Sequence, residues 1–367
     1  MKKVLLITDV NFWEGSSGHR ARISALTMFL ATKVDLTVVI TGPAPATAEN
    51  EIAALYRARF CVLEMAEGLG SEAYGILLKK RLKNKRFDSV IIEYIHSSYF
   101  LSYLNGCPQL IVDIHDIISD RAAEFQKFSL TNAIYGPTWE RELEILGYYD
   151  HIITICRPDF ERLSGALPGR TLLCPHPVVS IPCSTRPQVE TIGFVASSYL
   201  PNAEGINHFI QNCWPEIRKK HAVRLTIYGT VCGMVNTFES PDIVLHGFVP
   251  AVDEIYREID VVINPVRFGA GLKIKNIEAL GYGRPLVTTV HGSRGIEEAQ
   301  GVAFFGAADS ADMVFYILKL IENRPLRKRM ALAASDFVRK KFSPEVCFNP
   351  LLEAIEFNNR KRSPDQE

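Results

Sequence analysis

Strand-like apolar runs alternate with longer helical stretches along almost the whole chain, and this alternation limits the folds available to it. In the first half the strand-like runs are KVLLITDV, VDLTVVIT, SVIIEYI, LIVDIH and HIITIC. The second half restarts the pattern with ETIGFVA, VRLTIYGT, DIVLHGF, DVVINPV, PLVTTV and VAFFG. In the first half, helices are predicted around 19–31, 49–58, 71–86, 119–147 and 157–164. Continuous apolar strands separated by helices predict parallel sheets covered on both faces.

A proline-rich stretch with little periodicity, LPGRTLLCPHPVVSIPCSTRPQVE, separates the two halves and predicts a linker. At 367 residues the chain is also too long for one ordinary core. We predict an α/β protein with two doubly wound, Rossmann-like domains, 1–183 and 184–342. The segment 343–367 should contain one amphipathic helix, crossing back to the N-terminal domain, and a polar tail. Ligands of such folds bind beyond the carboxyl ends of the strands, here between the domains.

Composition excludes several classes of protein. The hydrophobic fraction of 47% and charged fraction of 22% are typical of a soluble globular chain, and a net charge of zero gives no indication of nucleic acid binding. The cysteines are scattered without metal-ligand spacing, which favours a reducing compartment and a cytoplasmic protein. The start, MKKVLLITDV, is better interpreted as a first strand than as a signal peptide, and no apolar run is long enough to span a membrane.

The segment GAGLKIKNIEALGYGRP, residues 269–285, predicts an anion site at the start of a helix. Gly269 and Gly271 allow a sharp turn and close approach of a ligand to the backbone. Lys273 and Lys275 fall near the helix N-terminus, where a cation is unfavourable by about 0.3–1 kcal/mol unless an anion is bound. Glu278 projects from the same helical face as Lys275 and is suited to accept hydrogen bonds from a ribose. The alternative is a glycine-rich turn with solvated lysines and a salt-bridged glutamate.

Two further features belong to the predicted phosphate site. Arg267, just before the glycine turn, is expected to add positive charge. The loop NFWEGSSGHR follows the first strand, and its Gly18 opens the next helix, with Gly15 adding flexibility. The loop either cradles a phosphate or sugar or is an ordinary strand-to-helix turn. It lacks the G-x-G-x-x-G fingerprint, and the second strand ends without an acid for a ribose, so an NAD-dependent dehydrogenase is disfavoured.

Histidines end two strands of the first half. His115 lies between Asp113 and Asp116, whose carboxylates are expected to orient its imidazole and raise its basicity. His96, in IIEYIHSSY, is a candidate for an acceptor pocket, as is Asp116. For each histidine a structural role is the alternative.

Two other stretches have candidate binding roles. In LHGFVPAVDEIY, backbone groups of Gly247, Phe248 and Val249 lie where they could hold a flat base. The run KKRLKNKR, Lys79 to Arg86, is predicted to continue a helix and cover most of its circumference with cations. It is either a solvated helix end or a surface that docks on an anionic membrane.

With these residues in place, the sequence resembles a known family. GFVPAVDEIYREIDVVINPVRFGAGLKIKNIEALGYGRPLVTTVHGSRGI closely resembles the donor-binding half of retaining glycosyltransferases of family 4, which have the GT-B fold. FVASSYLPNAEGINHFIQNCWPEI resembles the segment that opens that half in one bacterial branch. The GSSGHR loop, the VDIHD stretch and WERELEILGYYDHIITICRPDFERL follow the same pattern more loosely.

The resemblance implies two Rossmann-like domains that face each other across a cleft. It implies a nucleotide-sugar donor on the C-terminal domain, a glycan or lipid-linked acceptor on the N-terminal one, and transfer with retention, without a metal or other cofactor. Glu278 matches the second glutamate of the family's Glu-x7-Glu motif, which holds the ribose. His115 matches a histidine beside the transferred sugar, and Gly18 a glycine near the donor phosphates. Surface polysaccharide or lipopolysaccharide synthesis is the usual setting.

The chain departs from the family at two places. The first glutamate of the motif is replaced by Ala270, and the family's Arg and Lys near the first strand of the second domain have no clear match. Lys273 and Lys275 are the candidates to replace that charge, and Lys273 is therefore predicted, with His115, to be catalytic. Two alternatives remain: a GT-B epimerase acting on a UDP-sugar, and a non-catalytic partner subunit that binds a sugar nucleotide.

Overall fold

The computed structural model describes residues 1–14, 17–42, 49–63, 70–106, 108–128, 136–236 and 240–357. Within these ranges the strands form two separate sheets, one of seven strands and one of six. Most strand residues are buried because helices cover the sheets, as continuous apolar strands require. The predicted pair of doubly wound α/β domains is confirmed.

The N-terminal sheet is wholly parallel. Its strands are β1 Lys3–Thr8, β2 Asp35–Ile40, β3 Arg59–Val62, β4 Ser89–Glu93, β5 Gln109–Asp113, β6 His151–Thr154 and β7 Thr171–Leu173. The helices are α1 Gly18–Ala31, α2 Glu49–Tyr56, α3 Ser71–Arg81, α4 Ile118–Lys127, α5 Trp139–Leu146 and α6 Arg157–Ala166. The strand order is β3-β2-β1-β4-β5-β6-β7, so β1, β4 and β5 lie at the centre.

The C-terminal sheet is also parallel. Its strands are β8 Thr191–Val195, β9 Arg224–Tyr228, β10 Ile243–Gly247, β11 Val261–Asn264, β12 Leu286–Thr289 and β13 Phe304–Ala307. The helices are α7 Leu200–Asn212, α8 Trp214–Arg218, α9 Val252–Glu258, α10 Ile274–Gly281, α11 Ser310–Glu322, α12 Arg324–Lys341 and α13 Pro344–Glu356. All six strands predicted for this half are present, in the order β10-β9-β8-β11-β12-β13.

The structure corrects the sequence prediction in the N-terminal half. The short edge strands β3 and β7 were not predicted, and β7 lies inside the predicted linker, where it pairs with β6. The helix predicted over 119–147 is interrupted: α4 ends at Lys127, and α5 begins after Thr138, whose side chain caps it by accepting from the Arg141 amide. The helix predicted over 71–86 ends at Arg81, so the cationic run extends beyond the helix.

Side chains from both domains pack together at their contact. The Phe268 ring is completely buried and lies against the rings of Phe125 in α4 and of Phe128, which follows that helix, with centroids 5.2 and 4.2 Å apart. Arg294 of the C-terminal domain forms an ion pair of 2.6 Å with Asp159 of α6. These contacts hold the carboxyl ends of the two sheets close together.

The last described helix, α13, packs on the N-terminal domain. The buried ring of Phe348 lies 5.4 Å from that of Phe29 in α1, and the Gln109 side chain donates to the Ala354 carbonyl. Where the chain crosses between the domains, the Val178 amide donates to the Phe342 carbonyl. In the described ranges no helix has the length and apolar character needed to cross a bilayer.

Substituting Phe348→Ala should destabilise the N-terminal domain by about 3–5 kcal/mol, because it empties a fully buried site between α13 and α1. Urea unfolding monitored by fluorescence measures the change. The matched control is Phe357→Ala, since that ring is 73% exposed. Equal unfolding midpoints for the two variants would show that α13 does not stabilise the domain.

Candidate functional site

The loop between β11 and α10 has the backbone shape that the glycines predict. Gly269 has φ 104° and Gly271 has φ 69°, both in the left-handed region that glycine favours. A Cβ atom at Gly271 would lie 3.2 Å from the carbonyl oxygen of His115 in the other domain. The absence of a side chain therefore allows the loop to contact the carboxyl end of β5.

Lys273 is the N-cap residue of α10, and its ammonium group folds back over the glycine loop. Its Nζ donates to the carbonyl oxygens of Ala270 at 2.9 Å and Gly271 at 3.0 Å. These acceptors are uncharged, so the positive charge is not neutralised by them. Burial, together with the nearby Arg294 guanidinium, lowers the pKa of Lys273 to about 8.

Lys275 lies in the first turn of α10 and also has a neutral acceptor. Its Nζ contacts the Asn202 side-chain oxygen and lies 5.0 Å from the centre of the Phe194 ring. Burial and the neighbouring Lys273 lower its pKa to about 7. Two partly buried cations at a helix N-terminus, hydrogen-bonded to uncharged groups, are arranged to receive an anion.

Glu278 follows one turn later, and its surroundings suit a hydroxyl donor. Its carboxylate lies 3.4 Å from the Tyr256 hydroxyl, which also lies 3.3 Å from the Lys275 carbonyl. Burial raises the pKa of Glu278, against the hydrogen bond from Tyr256 and the charge of Lys275. A carboxylate placed this far into the site has capacity for further hydrogen bonds, as a ribose would supply.

Arg267, which was predicted to add positive charge to the site, is paired with an acid, and its part in donor binding stays a prediction. Its guanidinium forms an ion pair with Glu204 and lies 5.6 Å from the centre of the Phe128 ring. Sequence reasoning instead missed His291, whose Nε2 lies 2.7 Å from the Gly269 carbonyl. Burial, with Lys273 close by, lowers the pKa of His291 to about 4, so the neutral ring steadies the loop.

The residues predicted to hold a base follow β10 at the edge of the C-terminal sheet. Gly247 has φ 67°, and Phe248 is 53% exposed. Beside them, the His246 ring stacks on Tyr228 with centroids 4.4 Å apart. The stretch therefore presents an exposed aromatic ring next to a glycine turn, and its part in base binding remains a prediction.

The start of α1 faces the start of α10. A Cβ atom at Gly18 would lie 3.1 Å from the Ile274 side chain, so the glycine keeps the two helix N-termini close. Each N-terminus carries a partial positive charge, and their proximity reinforces the anion site. Gly15, from the same loop, lies outside the described residues.

His115 is held by an acid that the sequence analysis did not single out. Its Nε2 lies 2.7 Å from Glu93 Oε2 at the end of β4. The side chains of the predicted partners have other contacts. Asp113 accepts from Arg22 Nε at 2.9 Å and lies 2.7 Å from its Nη2, and Asp116 accepts from Arg121 at 3.1 Å. Glu93 was overlooked because it ends an apolar run; a carboxylate inside a predicted core strand was the available signal.

The two residues predicted to bind an acceptor lie in different environments. His96 is half-exposed, and its Nε2 lies 2.8 Å from Asp9 at the end of β1. Its ring stacks on Tyr94, with centroids 5.4 Å apart. Asp116 is buried, and a Cβ atom added at Gly271 would lie 3.4 Å from the Cβ atom of Asp116. Asp116 therefore lies in the contact between the domains rather than in an open pocket.

One set of described residues, Glu93, Asp113 and His115, brings metal-ligand atoms within 4.8 Å of one another. A divalent ion would have to displace the Arg22 guanidinium from Asp113 and the His115 ring from Glu93. Because Asp113 is already paired with Arg22, and Glu93 is already bound to His115, the cluster does not favour a resident metal. Metal-independent activity stays a prediction.

Part of the chain matches a known protein family. Residues 189–323 match the family model described as Glycosyl transferases group 1. The C-terminal domain is a glycosyl transferases group 1 domain, and the family prediction is confirmed at that level. An uncharacterised 44.6 kDa protein in the cps region of Klebsiella pneumoniae is 24% identical over 170 residues, which cover 43% of this chain and 44% of that protein. The match thus spans less than half of that relative.

Solved structures share the fold over almost the whole chain. Sucrose-phosphate synthase from Thermosynechococcus elongatus superposes with a TM-score of 0.75 at 12% identity, covering 97% of this chain and 98% of that one. A TarM variant from S. aureus, in complex with fondaparinux, alpha-GlcNAc-glycerol and UDP, gives 0.74 at 12%, covering 97% and 100%. Anabaena HepE, in complex with UDP and glucose, gives 0.72 at 13%, covering 97% and 100%. The predicted GT-B fold is confirmed.

The affinity of the site for a diphosphate should fall as pH rises through the range 7 to 9. With pKa values of about 7 and 8, Lys275 and Lys273 are progressively neutral there, and a bound anion favours their charged forms. Calorimetry with inorganic pyrophosphate should show affinity falling by up to about tenfold per pH unit for each lysine that loses its proton.

The matched variant is Lys275→Arg, because a guanidinium stays charged throughout this range. Its affinity for pyrophosphate should depend less on pH than that of the unsubstituted protein. Because the titration of pyrophosphate affects both proteins equally, it cancels when the two pH profiles are subtracted. Identical pH dependence in both proteins would show that Lys275 does not contact the anion.

Proposed function

We propose that this chain is a retaining glycosyltransferase of family 4 that moves a sugar from a nucleoside-diphosphate sugar to a glycan or lipid-linked acceptor. The observation that carries the proposal is the pair Lys273 and Lys275 with neutral acceptors at the N-terminus of α10. Gly18 places the N-terminus of α1 against the same point. Such a site binds a diphosphate and stabilises the charge that develops as it departs.

The rest of the donor has candidate partners along the same helix. Glu278, one turn beyond Lys275, would accept hydrogen bonds from the ribose hydroxyls. Phe248, beside Gly247 and Val249, would lie against the base. His115, whose carbonyl lies at the glycine loop, would lie beside the transferred sugar.

Transfer would follow from these positions. The bond between the anomeric carbon and the diphosphate oxygen breaks while the acceptor oxygen bonds to the same face of that carbon. The departing phosphate oxygen takes the acceptor proton, so retention needs no carboxylate nucleophile. Fixed cations and two helix N-termini stabilise the leaving diphosphate more than the intact donor, and this difference accelerates the reaction.

The setting we propose is bacterial surface polysaccharide or lipopolysaccharide synthesis. Support comes from the Klebsiella relative in a cps region and from neighbours of the same fold, one of which is a lipopolysaccharide outer core galactosyltransferase. HepE was solved with UDP-glucose, and TarM with UDP and alpha-GlcNAc-glycerol. Those ligands belong to those proteins and guide the choice of donors to test.

A thermal-shift screen of UDP-, GDP- and dTDP-sugars should find one stabilising donor, with a CMP-sugar as the comparison that lacks a diphosphate. With that donor, Lys273→Ala/Lys275→Ala should reduce transfer by at least about 10²-fold, because the leaving charge loses its fixed cations. Lys340→Ala is the control, since that lysine is exposed on α12.

Full transfer by the double variant would refute the diphosphate assignment. Donor binding without transfer or hydrolysis would instead indicate a non-catalytic partner, a role that Ala270 in the motif would suit. Conversion of donor alone into a new sugar nucleotide would indicate an epimerase.

We also propose that the N-terminal domain docks on an anionic membrane at its cytoplasmic face. Lys79 and Lys80 lie in the last turn of α3, and the exposed cations continue through Lys83 to Arg86 beyond the helix. Ile76, on the same helix, is 56% exposed and adds an apolar side chain for insertion. Arg81 is partly committed, since it pairs with Glu49.

Replacing Lys79, Lys80 and Lys83 with serine should weaken binding to phosphatidylglycerol vesicles by about 10²-fold at low salt, at roughly 1 kcal/mol per cation. Sedimentation with vesicles measures the affinity. The control removes Lys328, Arg329 and Lys340, which are three exposed cations of α12. Equal weakening by both sets would mean that net charge, rather than this surface, determines binding.

A further inference from the structure

Glu93 is a carboxylate at the carboxyl end of a central strand with no exposure to solvent. Its Oε2 lies 2.7 Å from His115 Nε2, and its Oε1 has no hydrogen-bond partner among the residues that the structure describes. A buried carboxylate is costly unless it is paired. Its single side-chain partner is therefore the main reason for a carboxylate at this position.

The other charged groups nearby are paired with each other, so His115 is the partner of Glu93. Asp113, opposite Glu93 in the sheet register, is paired with Arg22, and both of those side chains are fully buried. Burial and the charge of Asp113 raise the pKa of Glu93, while the hydrogen bond with His115 and the charge of Arg22 oppose the rise. Arg22 and Asp113 balance each other, so Glu93 and His115 form the second pair of the cluster.

The backbone adds a second constraint on the same imidazole. His115 has φ 59° and Tyr94 has φ 64°, a region that costs non-glycine residues of the order of 1–3 kcal/mol each and that clusters at functional sites. These two conformations stack the rings face to face, with centroids 4.2 Å apart and planes 16° apart. The His115 ring is thus fixed on one edge by Glu93 and on one face by Tyr94.

We propose that Glu93 is a positioning residue that holds His115 with a proton on Nε2 and leaves Nδ1 for the hydroxyl of the transferred sugar, with Tyr94 clamping the ring. The hydrogen bond from His115 and the nearby charge of Arg22 favour the ionised form of Glu93. With Glu93 ionised, its carboxylate only accepts, so the ring nitrogen facing it carries the proton. Nδ1 of the neutral ring is then an acceptor at the strand end that contacts the glycine loop. The inference rests on the proposed function for the identity of the ligand, but the tautomer is independent of it.

Nitrogen-15 NMR of the imidazoles tests the tautomer directly. The full chain labelled at histidine should show His115 with its proton on Nε2, its signals being assigned by their loss in His115→Asn. In Glu93→Gln the neutral amide accepts more weakly and can itself donate, so the signals should move toward the Nδ1-protonated form. Asp260→Asn, which alters a buried carboxylate bound to backbone amides in the other domain, should leave them unchanged.

Kinetics with the donor found by the screen supply the second readout. Glu93→Gln should lower kcat by up to about 10²-fold, as expected for a misplaced group, with little change in donor KM. Glu93→Asp keeps the charge but has a shorter side chain, so its kcat should lie between those of the unsubstituted protein and of Glu93→Gln. Asp260→Asn should retain kcat.

A proton on Nδ1 of His115 in the unsubstituted protein would overturn the proposal. This measurement needs no Glu93 variant, so the test remains valid if Glu93→Gln does not fold. Unchanged His115 signals in a folded Glu93→Gln protein would overturn it equally. If no donor supports transfer, the proposed function fails while the tautomer result still stands.

Discussion

The site depends on how closely two backbone segments, one from each domain, approach each other. Gly271 meets the carbonyl of His115, and Gly18 meets Ile274 at the first turn of α10. A side chain at Gly271 would also be strained by its positive φ, so both space and conformation require glycine there. This contact brings the N-termini of α1 and α10 together, and without it their partial charges would act on separate points.

Charge is distributed unequally around this contact. On the N-terminal side each acid has its own cation or imidazole: Asp113 has Arg22, Asp116 has Arg121 and Glu93 has His115. On the C-terminal side Lys273 and Lys275 have only amide and carbonyl oxygens. No carboxylate is hydrogen-bonded to either lysine among the described residues, although Asp116, Asp159 and Glu278 lie near enough to favour their charged forms. The donors of both ammonium groups therefore remain suited to an anion at the start of α10.

The sequence allowed the sheets to be predicted but not the pairing of charged side chains. All six C-terminal strands were predictable because their apolar runs are bounded by turn residues, whereas β3 and β7 are short edge strands whose pattern is too brief to detect. Gly269 and Gly271 were identifiable from local backbone requirements. The ion pair of Arg267 was not predictable because its partner, Glu204, is 63 positions away. The bond between Glu93 and His115 likewise depends on two strands becoming neighbours.

The position of α13 has a consequence for how the chain is made. This helix is translated last among the described elements, yet Phe348 completes the packing of α1 near the beginning of the chain. During synthesis the strands of the N-terminal sheet therefore leave the ribosome well before α13. More than 150 residues separate β7 from α13, and until they are translated the apolar side chains that α13 covers remain exposed. Nascent chains at this stage expose surface to chaperones or to one another, so premature termination yields an open half rather than an autonomous domain.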